Sequence, residues 1–289
     1  MANDQGPVVQ SALLRAELTR LRKDGGLTQE HVAQRLDWSP SKLIRVEGGR
    51  SSITKVDLDA LLSTYGITSE SQRERLQALN RGARERAWWS AYREEEINPI
   101  YLEYVGFEAG AAFIRQYTSG YISGLLQTPE YAEILTANST DAVRLGPLVK
   151  IRLQRQAELA KRSTPPRQYH VIDEGVIRRH VGISQDPAIM PNQLRHIADR
   201  AEREELLTIR VMPFKAGAHP GLSGPFTILE FDGSLPDLLY LDSGRDLSLI
   251  TGSDDRIGQS ADDFEVLLET ALPAAESIEF IRQVAEEMS

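Results

Sequence analysis

The sequence contains no cysteine and no long hydrophobic run. Without thiols the chain can form no disulfide, no thiolate metal site and no cysteine nucleophile, so packing must supply its stability. Apolar stretches such as Gly110 to Ile114 are far too short to cross a bilayer. The first ten residues, MANDQGPVVQ, hold an acid and no basic residue, unlike a secretory signal. We therefore expect a cytoplasmic protein with no membrane span.

Signatures of cofactor and metal chemistry are also missing. The chain has no GxxxxGK phosphate loop, no Rossmann glycine fingerprint and no GxSxG nucleophile elbow. Its five histidines show neither HExxH nor zinc-finger spacing. The sequence therefore predicts no catalytic residue, no metal and no cofactor, and we expect the protein not to be an enzyme.

Charge is distributed unevenly along the chain. The net charge is -9, but residues 1–90 carry 14 Lys+Arg against 11 Asp+Glu, while the rest of the chain is strongly acidic. A chain of 289 residues is also longer than one small domain usually is. These features predict two domains, the first of which can present a basic surface.

Residues 1–80 have the pattern of an all-α domain of five short helices. Helix-capping residues and glycine stops separate the apolar stripes. Ser39-Pro40, for example, offers a capping hydroxyl followed by a proline at the first helical position. The predicted helices run from Val8 to Lys23, from Thr28, from Ser39, from about Thr54 to Tyr65 and from Ser69 to Arg81.

The third of these helices has the division of faces that a DNA-reading helix needs. Leu43 and Val46 share its inner side, and Lys42 and Arg45, three residues apart, share its polar side. A lysine or arginine there can donate to guanine O6 and N7, worth about 1–3 kcal/mol of discrimination per good contact. The simpler alternative is an ordinary amphipathic surface helix, which the five-helix context disfavours.

Other residues of the same region are predicted to position the DNA without reading it. Gln29 and the first amides of the second helix can hold a phosphate, and Arg50 and Lys55 can neutralise its neighbours. The complete predicted DNA-binding set is Gln29, Ser39, Ser41, Lys42, Arg45, Arg50 and Lys55.

The string QEHVAQRLDWSPSKLIRVEGGR resembles the lambda-repressor-like helix-turn-helix family, of the Cro and xenobiotic-response-element type, over about residues 10–66. The resemblance implies that Ala33 lies at a tight helix crossing and that Leu43 and Val46 lie in the core. One departure is Asp37, where the family often has a turn glycine; aspartate tolerates the left-handed conformation at modest cost.

The segment 81–100, which includes RGARERAWWSAYREEE, is predicted to link this domain to a second one over residues 101–289. We predict an α+β fold with a largely antiparallel sheet. Helices are expected at Tyr101–Tyr117, Leu125–Leu135, Leu145–Lys161, Asn192–Arg203, Ala261–Leu272 and Ala275–Glu287, and strands at YHVID, LTIRVMP, PFTILEF, LLYLD and LSLIT.

This second part resembles the C-terminal domain, of unknown function, found behind such a helix-turn-helix in a large actinomycete regulator family. The likeness is carried by AWWSAY, SGLLQTPEYAEIL, the pair Arg155-Gln156, VIDEGVIRRHVG, and RVMPF followed by PFTILEF. Some members of that family sit beside small partner proteins in toxin–antitoxin-like arrangements. The resemblance implies partner binding or signal sensing.

Three functional hypotheses follow from the sequence. The first is a homodimeric transcriptional regulator that binds double-stranded DNA at a two-fold related site. The second is an antitoxin-like protein that binds a small partner protein and regulates its own gene. The third is a hydrolase that uses Asp173, Glu174 or Glu230, although capping and salt bridging to Arg178 or Arg179 is the favoured role of the first two.

Overall fold

A computed structural model of the chain describes residues 6–92, 97–138, 142–233, 235–242 and 246–289. The chain divides into two compact units, Met1–Ser90 with Asp232–Leu235, and Ala91–Phe231 with Pro236–Ser289. The predicted linker, 81–100, includes residues 93–96, which lie outside the described residues. A short 3-10 helix covers Trp88–Tyr92.

The first unit is helical, as predicted. Its helices are α1 (Gly6–Asp24), α2 (Gln29–Arg35), α3 (Pro40–Glu47), α4 (Lys55–Thr64) and α5 (Glu70–Gly82). Helices α2 to α5 each begin behind a hydroxyl that accepts a backbone N–H, from Thr28, Ser39, Thr54 and Ser69. These caps satisfy amides that a helix leaves unpaired at its start, which is why the capping pattern located the helices so well.

The core of this unit is built from the inner stripes of its helices. Leu18 of α1, Val32 and Ala33 of α2, Leu43 of α3 and Leu61 of α4 have no exposed surface. Because α2 and α3 are each only two turns long, this burial rather than helix propensity holds them in place.

The second unit contains α6 (Pro99–Glu108), β1 (Phe113–Thr118), α7 (Pro129–Ala137), α8 (Ala142–Ala160), β2 (Arg167–Asp173), α9 (Glu174–Ile177), α10 (Ile189–Arg203), β3 (Leu207–Met212), β4 (Phe226–Glu230), β5 (Leu238–Asp242), β6 (Leu247–Ile250), α11 (Asp255–Thr270) and α12 (Ala274–Glu287). The five predicted strands and the predicted helices from Leu125 onward are confirmed within about four residues at their ends, except that α11 begins at Asp255, before the predicted start at Ala261.

The prediction of a helix over Tyr101–Tyr117 is wrong in its second half. Helix α6 ends at Glu108, and Phe113–Thr118 forms strand β1 instead. This strand lies inside the sheet between two neighbours, and both Ile114 and Tyr117 are buried. Ile114 and Tyr117 are three residues apart, a spacing that also fits one face of a helix, so periodicity over so short a segment could not distinguish the strand from a helix.

The sheet is mostly antiparallel, as predicted, although two of its five strand pairings are parallel. Its strand order is β3-β2-β1-β4-β5-β6. Strand β1 pairs parallel with β2, which pairs parallel with β3, whereas the pairings of β1 with β4, β4 with β5 and β5 with β6 are antiparallel. The parallel half arises because helices connect β1 to β2 and β2 to β3, and a parallel pair needs such a crossover.

Helices cover both faces of the sheet. On one face, Ile172 and Val211 pack in a cluster with Leu194 of α10 and Val284 of α12. On the other face, Val171 packs in a cluster with residues of α11 that include Phe264. The neighbours Val171 and Ile172 point to opposite faces, as successive strand residues must. No helix among the described residues has both the length and the apolar content to cross a bilayer.

Candidate nucleic-acid interface

The turn between α2 and α3 is built by four residues, Leu36 to Ser39. The backbone N–H of Trp38 donates to the Ala33 carbonyl oxygen at 2.8 Å, closing the end of α2. Asp37 adopts φ 54°, and it is the one non-glycine residue with positive φ in the described chain. The predicted left-handed turn at Asp37 is therefore confirmed. The hydroxyl of Ser39 then accepts from the Lys42 N–H at 3.3 Å and starts α3.

Helix α3 has the predicted inner face. Leu43 is fully buried and Val46 is 4% exposed. The side chains of Ser41, Ile44 and Arg45 are exposed. Ile44 is 45% exposed. The sequence analysis did not identify it as a surface residue, because it is apolar and lies next to the buried Leu43. Its exposure was readable from the helical period, because Ile44 follows Leu43 by one residue and precedes Val46 by two, so it points away from the face that those two residues share.

Lys42 is held by two partners within the first unit. Its Nζ lies 3.1 Å from Asp57 Oδ1 on α4 and 3.8 Å from the centre of the Trp38 ring. The lysine side chain is 36% exposed and that of Asp57 27%. An ion pair this accessible to water contributes at most about 1 kcal/mol, so a phosphate or a base can displace Asp57 at small cost.

The remaining predicted basic residues are exposed. Arg45, Arg50 and Lys55 lie on the surface of the first unit, and none of their side chains makes a hydrogen bond or an ion pair with another described residue. Arg45 is on α3, Arg50 follows its end and Lys55 opens α4. These three side chains are exposed positive charges on α3 and on the segment that follows it.

The end of α3 is closed by a glycine that no other residue can replace without a shift. Gly49 has φ +74°, and a Cβ built there would lie 1.7 Å from Nη1 of Arg15. The Arg15 guanidinium also donates from Nη1 to the Gly48 carbonyl oxygen at 3.4 Å. Helix α1 therefore braces the C-terminal end of α3.

A buried carboxylate holds the first unit together behind the interface. Glu47, with a side chain 5% exposed, accepts from Nε and Nη2 of Arg22 at 2.7 and 3.0 Å. It also accepts from Nε2 of Gln29 at 2.7 Å and from the Tyr65 hydroxyl at 3.3 Å. The hydrogen bonds to Glu47 raise the pKa of Arg22, and burial, with Glu47 beside it, raises the pKa of Tyr65. Arg22 therefore stays charged and the Tyr65 phenol stays neutral.

This network gives Gln29 a contact that the sequence did not predict. The sequence predicts that its side chain donates to a phosphate, and in the structure one N–H of its amide donates to Glu47. Gln29 therefore ties the start of α2 to the end of α3. No local pattern pointed to this, because the partners are separated by 18 residues for Gln29 and 25 for Arg22.

The carboxylates singled out in the second unit have structural partners. Asp173 caps α9 by accepting the Gly175 N–H at 2.8 Å, and Glu174 pairs with Nε of Arg178 at 2.7 Å. The predicted capping and salt bridging are confirmed, with Arg178 as the partner.

Glu230 lies away from these two carboxylates. It pairs in the sheet with Phe113, at the start of β1, whereas Asp173 follows the position that pairs with the end of β1. The two levels are six strand residues apart, roughly 20 Å along the strand. Glu230 instead pairs with Arg115 Nε at 2.5 Å. Within the described ranges, no three His, Asp or Glu side chains are grouped as metal ligands would be.

Two short helices locked around a tight turn, with the second presenting a basic outer side, are the geometry of a helix-turn-helix DNA-binding unit. A family model described as a helix-turn-helix domain matches residues 13–76. The chain is thus a DNA-binding regulator of the helix-turn-helix class, as its sequence resemblance predicted.

A second family model, described as a domain of unknown function (DUF5753), matches residues 101–283, well over half of the chain. The chain belongs to this family. No match was found among curated proteins or among solved structures.

Proposed function

We propose that the protein is a sequence-specific transcriptional regulator that binds a two-fold related DNA operator as a homodimer, with regulation through its C-terminal domain. The observation that carries the proposal is the outer side of α3, where Arg45 is exposed and unpaired among the described residues while Leu43 and Val46 fix the helix from beneath. In this role the protein needs no catalytic residue, metal or cofactor, and it acts in the cytoplasm, at the nucleoid when bound.

Arg45, Lys42 and Ile44 are the residues that read bases. Arg45 has the free guanidinium that a bidentate contact to guanine O6 and N7 requires. Lys42 reaches the groove after leaving Asp57, and the exposed Ile44 offers the apolar contact that recognises a thymine methyl group.

Arg50 and Lys55 are the residues that position the DNA. Both are exposed and flank the two ends of the loop between α3 and α4, so they can neutralise phosphates on one strand. Ser39 and Ser41, at the start of α3, can donate to the same backbone. These contacts carry affinity and salt dependence but no base preference.

A homodimer follows from the size of the reading surface. Helix α3 spans only Pro40–Glu47, which gives each copy few base contacts. Two copies that read half-sites about one helical turn apart, roughly 10 base pairs, supply the affinity and specificity of a genomic operator.

The test begins with selection of binding duplexes from a random DNA pool by the full chain, followed by affinity measurements on the enriched site and its single-base variants. Arg45→Ala should remove about 1–3 kcal/mol of discrimination at one base pair per half-site. Arg50→Ala should weaken all sequences alike and reduce the slope of log affinity against log salt by about 1.

Arg203→Ala, which removes an exposed charge from the second unit, is the matched control and should change neither quantity. Asp57→Asn should tighten binding to every duplex, because it removes a negative charge beside Lys42. Failure to enrich any duplex, or equal effects of Arg45→Ala and Arg50→Ala on all sequences, contradicts the proposal.

An antitoxin-like role, in which the C-terminal domain binds a small partner protein and DNA binding serves autoregulation, is the second candidate. It is favoured by Phe214 and Leu222, two large apolar side chains in one segment that are 62% and 69% exposed. A small protein encoded beside the gene that binds the chain and changes its DNA affinity would support this role. Unchanged affinity in its presence would leave the simple regulator.

A further inference from the structure

The second unit contains a cavity of about 350 Å³ at one end of the inner strands of its sheet. Thr118 ends β1, Phe226 begins β4 and Asp242 ends β5, and all three line it. Strand β1 has a parallel neighbour on one side and an antiparallel one on the other. The cavity therefore lies beyond the carboxyl end of β1, the strand at which the pairing changes from parallel to antiparallel. Sheets of α/β proteins often bind ligands at such a position. The volume of the cavity falls within the range of small-molecule sites.

Two hydroxyl groups in its wall have no hydrogen-bond partner among the residues that the structure describes. Thr118 and Tyr240 are 6% and 4% exposed, and both line the cavity. Neither Thr118 Oγ1 nor the Tyr240 hydroxyl finds a hydrogen-bond partner in the described part of the chain. Such groups are rare in folded proteins because burial removes their water. By contrast, Thr227 in the same wall is satisfied by Gln116 Nε2 at 2.9 Å.

The aromatic part of the wall is fixed before any ligand arrives. The rings of Tyr104 and Tyr240 stack with centroids 4.1 Å apart and planes 19° apart. Buried Arg155 donates from Nη1 to the Tyr101 hydroxyl at 2.7 Å and bridges to Glu108 at 2.5 Å. A preformed aromatic wall favours a flat ligand, since stacking then costs little ordering of side chains.

The loop after β1 is fixed in the same way. Gln156 Nε2 donates to the carbonyl oxygens of Gly124 and Gln127, each at 2.9 Å. The Tyr131 hydroxyl accepts from the Ile122 N–H at 3.1 Å. The Arg155-Gln156 pair thus braces the cavity from α8, with one residue on the aromatic wall and the other on the loop.

The lining carries little net charge. The charge of Arg155 is matched by Glu108. The other two charged groups are Arg152, which donates to Gln127 at 3.3 Å, and Asp242, which accepts from the Tyr121 hydroxyl at 2.8 Å, and their charges are opposite. Burial raises the pKa of Tyr121 and of Tyr240, so these phenols stay neutral. The charges of the described lining, with Glu108 included, therefore sum to zero, which favours a neutral ligand over an ionised one.

We propose that this cavity binds a small, uncharged, planar aromatic molecule with hydrogen-bonding groups on its edge, of the nucleobase or aromatic amide class. The ring packs against the tyrosine wall, and the edge groups pair with the hydroxyls of Thr118 and Tyr240. A role for this ligand as the signal that controls DNA binding rests on the proposed function. Binding of the ligand to the cavity does not depend on that function.

The proposal is tested on the full chain without DNA. Adenine, hypoxanthine, nicotinamide and 4-hydroxybenzamide are screened as probes by saturation-transfer NMR and then by calorimetry, beside charged benzoate and non-planar cyclohexanecarboxamide. At least one of the four planar neutral probes should bind, and the last two compounds should not. Thr118→Val and Tyr240→Phe, which remove one hydroxyl each at nearly constant volume, should each weaken binding about tenfold.

Two controls keep the result interpretable. Thr208→Val and Tyr169→Phe make the same chemical changes at residues of β3 and β2 that do not line the cavity, and they should bind the probe like the parent chain. Thermal unfolding of Thr118→Val and Tyr240→Phe should occur no lower than in the parent, because each removes an unpaired buried hydroxyl.

If none of the four probes binds, or if both cavity variants bind as the parent does, the proposal is overturned. Loss of DNA binding alone would overturn the proposed function and leave this site intact.

Discussion

The buried carboxylate of Glu47 makes a quantitative prediction about the DNA-binding unit. In Glu47→Ala, the Arg22 guanidinium, whose side chain is 11% exposed, would lose its countercharge, and Gln29 and Tyr65 would lose an acceptor. Removing one partner of a buried ion pair costs about 3–5 kcal/mol. Since a domain is stable by only about 5–15 kcal/mol, the variant should lose a large share of the free energy of unfolding of this unit.

The measurement is urea unfolding followed by tryptophan fluorescence. All three tryptophans of the chain, Trp38, Trp88 and Trp89, lie within the first 90 residues, so the signal follows this unit. Glu74→Ala, at an exposed position of α5, is the matched control and should change stability by less than about 0.5 kcal/mol.

A double variant separates the ion pair from general packing. Arg22→Met with Glu47→Leu removes both charges and keeps apolar volume, so it should be more stable than Glu47→Ala by about 2 kcal/mol. A loss below about 1 kcal/mol in Glu47→Ala, or a double variant no more stable than the single one, would refute the account of the network.

Three further predictions concern other parts of the chain. Asp37→Val should destabilise the first unit by about 1–2 kcal/mol, because a β-branched residue must take φ 54°, while a glycine there should be tolerated; tryptophan fluorescence in urea checks both. Glu108→Ala should cost about 3–5 kcal/mol in circular-dichroism unfolding by stranding buried Arg155, whereas Lys161→Ala, at an exposed pair, should cost under about 1. Burial, reinforced by Arg200, lowers the pKa of His170 to about 3. Between pH 7 and pH 5 the unfolded chain therefore binds a proton at His170, whereas the folded chain does not. Stability should therefore fall by about 2 kcal/mol from pH 7 to pH 5, and His170→Gln should remove that component.

Local signals in the sequence were sufficient for the helices. Capping hydroxyls such as Thr28, Ser39 and Thr128 act within three residues of the amides they satisfy, so their effect is visible in a short window. The same is true of Asp37, whose conformation depends on the turn around it. The inner face of α3 followed from the helical period alone.

Features that depend on distant residues were not predictable in this way. Strand β1 is identified by its neighbours Arg167–Asp173 and Phe226–Glu230, and its own residues read equally well as a buried helix. The Glu47 network joins helices far apart in sequence. The hydroxyls of Thr118 and Tyr240 line one cavity only because the fold places β4 between β1 and β5.

The placement of β1 has a consequence for how the protein is made. Helices α1 to α5 are complete once the ribosome has passed Gly82, so this unit can fold before the strands of the second unit are made. Strand β1 must wait for β2, beyond residues 119–166, and longer for β4. Loop closure of that length slows folding. A nascent chain would leave both edges of β1 unpaired until β2 is made and one edge unpaired until β4 is made, which invites pairing with other chains. We expect slow translation or truncation between β1 and β4 to yield aggregates in which the helix-turn-helix unit is still natively folded.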